Sequence, residues 1–133
     1  MSPLPPADPA ALFRQGLALY HSGLPFEAHE VWETLWLAEA HAPRKLLLQA
    51  LIQLAAARHK LLRGNPDATL RLLARAHTKL LTLTPTTSLL RLCADLTQMQ
   101  SAVTHLDSRP PFDLPPNLVP TLPPDLVSFT DPA

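Results

Sequence analysis

The sequence predicts an all-α, single-domain bundle of about five antiparallel helices, followed by a proline-rich extended strap. Three observations carry this. Sixteen prolines fall almost wholly outside five apolar-periodic segments. Glycine or a capping side chain marks several of the segment ends, and no run alternates like a strand and closes in hairpin residues. The connections between segments are short, which makes chain neighbours antiparallel.

Four prolines precede or open the first segment and eight lie beyond residue 109, leaving Pro25, Pro43, Pro66 and Pro85 between. Proline lacks the N–H that a helix interior needs but suits the first helical turn. These four therefore punctuate helices. The first helix is expected from about Pro9 to Ser22, capped by Asp8 and stopped by Gly23, burying Phe13, Gly16, Leu17 and Tyr20. The second runs from about Pro25 to Glu39, and the third from about Pro43 to Arg63, stopped by Gly64. The fourth begins near Pro66 behind Asn65 and reaches about Leu83. The fifth spans about Thr87 to Leu106, with an apolar stripe of Leu89, Leu92, Cys93, Leu96, Met99, Val103 and Leu106. In that stripe Cys93 reads as a small core residue. Gly23-Leu-Pro-Phe-Glu-Ala28 and Gly64-Asn-Pro-Asp-Ala68 echo one another, which reads as shared turn chemistry rather than a repeat.

The bundle is assigned to residues 1–107 and the strap to 108–133. The strap is proline-rich but carries Phe112, Leu114, Leu118, Val119, Leu122, Leu126, Val127 and Phe129. A disordered tail lacks that apolar content, so packing along the bundle is expected.

With 133 residues, 47% apolar and 17% charged, the chain can bury one core. Eleven basic and eleven acidic residues cancel, so neither nucleic acid nor an anionic membrane is an expected partner. The opening residues lack the basic and apolar regions of a signal peptide, and no stretch is long enough to span a bilayer. A cytoplasmic location is expected. The lone Cys93 provides neither a disulfide framework nor a cysteine metal motif.

One constellation could carry chemistry. All four glutamates, Glu27, Glu30, Glu33 and Glu39, lie on the second helix with both tryptophans, Trp32 and Trp36. His29 and Glu33 are one turn apart and share a face that Trp36 continues, with Phe26 and Leu37 between. Carboxylates beside apolar surface need a partner, because desolvating one alone costs several kcal/mol. The candidate pocket is His29, Glu30, Glu33, Trp36, Gln49, Gln53, Tyr20, His59 and His77, with His29 and Glu33 as candidate ligands of a divalent metal. The His-Glu-x-x-Glu spacing is neither the His-Glu-x-x-His of zinc peptidases nor the Glu-x-x-His of di-iron bundles. Tyr20 could donate to a carboxylate. Gln49 and Gln53 are either an exposed stripe or amide contacts to the acids. His77 sits on the apolar face of the fourth helix, whereas His21, His41 and His105 read as surface residues.

Phe26-Glu-Ala-His29-Glu30-x-x-Glu33-x-x-Trp36, followed by Gln49-Ala-Leu-Ile-Gln53, resembles a prokaryotic helical family catalogued as domain of unknown function 309. Phe13-x-x-Gly16-x-x-Leu19-Tyr20 and Arg63-Gly64-Asn65 fit the same pattern, over about residues 11–83. The resemblance implies a helical bundle and brings no reaction. The family favours glycine where this chain has Ala50. Two functional readings follow. One is a His/Glu-lined pocket that binds a small molecule or a divalent metal, with hydrolytic use casting Glu33 or Glu30 as base. The other is a non-catalytic module for protein interaction or homo-oligomerisation, with the His/Glu group a structural network.

Overall fold

A computed structural model describes residues 8–106 and 114–129. Its helices are α1 (Pro9–His21), α2 (Pro25–Ala38), α3 (Ala42–Leu62), α4 (Pro66–Leu81) and α5 (Thr87–Thr104), with a 3-10 turn at Pro116–Leu118. The fold is the expected all-α bundle, and among the described residues there is no strand. The bounds lie within two residues of the predicted ones because proline and the caps act locally. Asp8 accepts from the Ala10 N–H, Asn65 from Ala68 and Thr86 from Leu89. His41, expected merely at the surface, also caps α3, its Nδ1 accepting from the Arg44 N–H.

The echo between Gly23 and Gly64 is one structural motif used twice. Both glycines sit at φ 81°, the left-handed region, where a Cβ is strained. At the first, Leu24 N–H donates to Leu19 O and Gly23 N–H to Tyr20 O; at the second, Asn65 N–H donates to Lys60 O and Gly64 N–H to Leu61 O. This closes each helix in a Schellman turn, and proline then opens the next helix.

Each helix packs chiefly on its neighbours in the chain. α2 and α3 run antiparallel: Phe26 meets His59 at one end, and Lys45 lies over Trp36 at the other. The centre of the α1–α2 contact is Trp32, fully buried and flanked by Phe13 and Tyr20, each ring centroid 5.9 Å away. Its indole N–H donates to Phe13 O at 3.3 Å. Gly16 makes this approach possible, because a Cβ there would fall inside the indole. Burying such an aromatic removes roughly 150–250 Å² from water. Thr69 is fully buried, and its hydroxyl donates to Asn65 O and, across to α3, Ala57 O.

Residues 114–129 lie against the helices. Leu114, Leu122, Leu126 and Val127 are buried, and Leu118, Val119 and Phe129 pack partly on the core. The predicted contact of Phe112 lies outside the described residues. Cys93 is partly buried, and burial pushes its thiol above its usual range.

Candidate functional site

Helical geometry places His29 and Glu33 on one face of α2, as their spacing predicts, with Nε2 and Oε2 3.6 Å apart. The enclosure differs from the expectation. The large residues meant to shield the pair, Phe26 and Leu37, are themselves 44% and 70% exposed. The Glu33 side chain is 50% exposed and that of His29 26%, so water reaches the carboxylate. The face that α2 buries deeply is instead Ala28, Trp32 and Leu35, about 100° round the helix from His29. A fourteen-residue helix with one neighbour on each side can bury only one such arc fully.

What surrounds the pair is a seam between α2 and α3. The Phe26 ring lies 5.8 Å from His29 and 5.0 Å from His59, so α3 brings a second imidazole to the same end. At the other end Lys45 Nζ stands 4.3 Å above the Trp36 ring, a cation–π contact. Two nitrogens on this face, His29 Nδ1 and Trp36 Nε1, are buried without a hydrogen-bond partner among the described residues. An unpaired buried donor or acceptor costs about 1–3 kcal/mol and calls for a partner.

Other candidates go elsewhere. Glu30 is exposed, and its main-chain carbonyl accepts from Thr34 Oγ1 at 3.3 Å. Gln53 accepts from Lys79 of α4 at 3.0 Å, so its amide is tied to a cation rather than to a carboxylate. Gln49 and His77 are half-buried on α3 and α4. Tyr20, expected to donate to a carboxylate, is fully buried and donates to Pro120 O at 3.1 Å. Burial pushes its hydroxyl well above the usual range, only partly offset by the Arg58 guanidinium, so it stays a donor. Among the described residues no group of three or more His, Cys, Asp and Glu side chains is arranged to hold a metal.

Among the described residues, cavities of about 460, 320 and 460 Å³ take their walls from α5 and the strap, from the α3 start and the strap, and from Tyr20, His21, Arg58 and the strap. None is lined by His29, Glu30, Glu33 or Trp36. Arg44 and His21, which bond the strap's main chain, carry no pattern in the sequence, because an isolated basic residue has none.

The α2–α3 seam lies inside the segment that resembles a known family. Residues 13–72 match the family model Domain of unknown function (DUF309). The resemblance read from the motifs is thereby borne out, over a shorter range than residues 11–83. The DUF309 match begins at Phe13, takes in α2 and α3 whole, and ends within α4. It therefore includes His29, Glu33, Trp36, Gln49 and Gln53 and leaves out His77, α5 and the strap. No curated protein and no solved structure gives a significant match. No helix among the described residues is long and apolar enough to cross a membrane.

Proposed function

We propose that this chain is a non-catalytic interaction module that self-associates through the α2–α3 seam. The reading is carried by one observation: Leu24, Phe26 and Leu62, at 45%, 44% and 53% exposure, are large apolar residues left uncovered at the same end of the α2–α3 pair. The two glycine turns bring the α2 start and the α3 end there, and the rings of His29 and His59 pack beside Phe26. An apolar patch is complementary to itself, and a chain of zero net charge opposes pairing with no long-range repulsion. The half-exposed His29–Glu33 pair would then be polar rim.

Sedimentation velocity tests this. The intact chain should dimerise with rising concentration, and Phe26→Ser with Leu62→Ser should abolish that while helical circular dichroism is unchanged. A wild type that stays monomeric up to about millimolar concentration, the weak limit of useful affinity, overturns the proposal.

The approach of His29 Nε2 to Glu33 Oε2 at 3.6 Å supports a second reading, a small polar ligand or divalent metal held by His29 and Glu33. Two side chains fall short of the three or four protein ligands of a zinc site, so a metal held by this pair would need further ligands. Metal analysis of wild type against His29→Ala/Glu33→Ala tests it: equal content in both removes the metal.

A further inference from the structure

The charges of this neutral chain are sorted by helix. α2 carries Glu27, Glu30 and Glu33 with neither lysine nor arginine, whereas Asp67 is the single acid on α3 and α4, which hold most of the bases. Acids suit a helix start and bases a helix end, since each offsets the partial charge of the backbone there. Because α2 and α3 run antiparallel, the acidic start of α2 lies beside the basic end of α3, with the Phe26 and His59 rings in contact between them. The uncovered apolar residues Leu24, Phe26 and Leu62 are thus flanked on the α2 side by Glu27 and Glu30 and on the α3 side by Lys60 and Arg63, all four exposed. Among the described residues none of these four side chains forms an ion pair.

Opposite charges on the two flanks of one patch fix how a second copy can sit. In a two-fold contact the same surface serves both copies, and every pairing occurs twice. With the axis along the seam, the rotation exchanges the flanks and each acidic flank meets a basic one. With the axis across the seam, acid meets acid and base meets base, and both flanks repel.

We infer that a second copy binds this end with the two-fold axis along the seam, so that α2 of each copy lies over the α3 end of the other and Glu27 and Glu30 face the other copy's Lys60 and Arg63. This arrangement rests on the self-association proposed above and sets its orientation and its dependence on salt. Exposed pairs are individually weak and screened, but the symmetry doubles each of them.

Charge exchange in the full chain tests it by sedimentation velocity. Glu27→Lys/Glu30→Lys makes both flanks basic, and Lys60→Glu/Arg63→Glu makes both acidic. Each variant alone should self-associate at least about tenfold more weakly than wild type at low salt. Mixed in equal amounts, the two should pair nearly as tightly as wild type, because every flank then meets its opposite. A mixture no tighter than either variant alone, or variants that associate as wild type does, overturns the orientation and leaves the seam standing. A wild type that stays monomeric removes the seam, and the orientation with it. Should either reversed variant not fold, Glu27→Gln/Glu30→Gln decides. Wild-type association should weaken between about 0.05 and 0.5 M salt, and that of the neutralised variant should weaken much less. Equal salt dependence overturns the orientation.

Discussion

The hydroxyl of Tyr20 and the carbonyl of Pro120, 100 residues apart in the chain, meet at 3.1 Å in the buried interior. The phenol sits among Trp32, His21 and Arg58, whose guanidinium lies 4.6 Å from the ring and donates to Tyr20 O at 2.7 Å. One side chain thus joins the aromatic centre of α1 and α2 to the strap.

Tyr20→Phe keeps the ring and removes the donor, leaving Pro120 O buried and unpaired. Urea unfolding should show a loss of about 1–3 kcal/mol. A loss near zero would mean that water replaces the hydroxyl.

Gly16→Ala tests the α1–α2 approach. Since the added methyl would overlap the Trp32 indole, the helices must part. Alanine's better helix propensity, about 1 kcal/mol, opposes this, while overpacking costs about 1–3 kcal/mol. The net expectation is a lower Tm by calorimetry, with a changed tryptophan emission.

Thr69→Val preserves shape and deletes the hydroxyl that bonds Ala57 O and Asn65 O. Chemical unfolding should report a loss of about 0.5–1.5 kcal/mol, the usual worth of such a bond.

The strap contact at His21 should depend on pH. Burial, and then the nearby Arg58 charge, lower the His21 pKa below 6.5. The neutral ring is the form that accepts from the Leu122 N–H. A released or unfolded His21 binds protons more readily, so the contact's stabilisation is complete above about pH 6.5 and is lost as pH falls through the lower native value. The Leu122 amide shift, followed by NMR between about pH 7.5 and pH 5, should titrate in wild type and stay flat in His21→Gln.

The helices were legible because their signals are local. Pro25, Pro66, Gly23, Gly64, Asp8 and Asn65 act on backbone within a turn of themselves, so their positions map directly onto helix ends. The shared face of His29 and Glu33 was legible for the same reason, since four residues make about one turn. Their exposure was not. A helical wheel ranks faces but does not say which one a neighbouring helix covers, and here Trp32 against Gly16 turned a different arc inward.

Chain order and side-chain type alone therefore determined five helices, their turns and the acid–imidazole pairing on α2. Only tertiary packing decided that Phe26 stays outside, that Gln53 serves Lys79, and that Tyr20, His21 and Arg44 grip the strap. The division follows from range: a cap or a helical turn is settled by bonds among near neighbours, whereas burial and long-range hydrogen bonds depend on which distant segments share a surface.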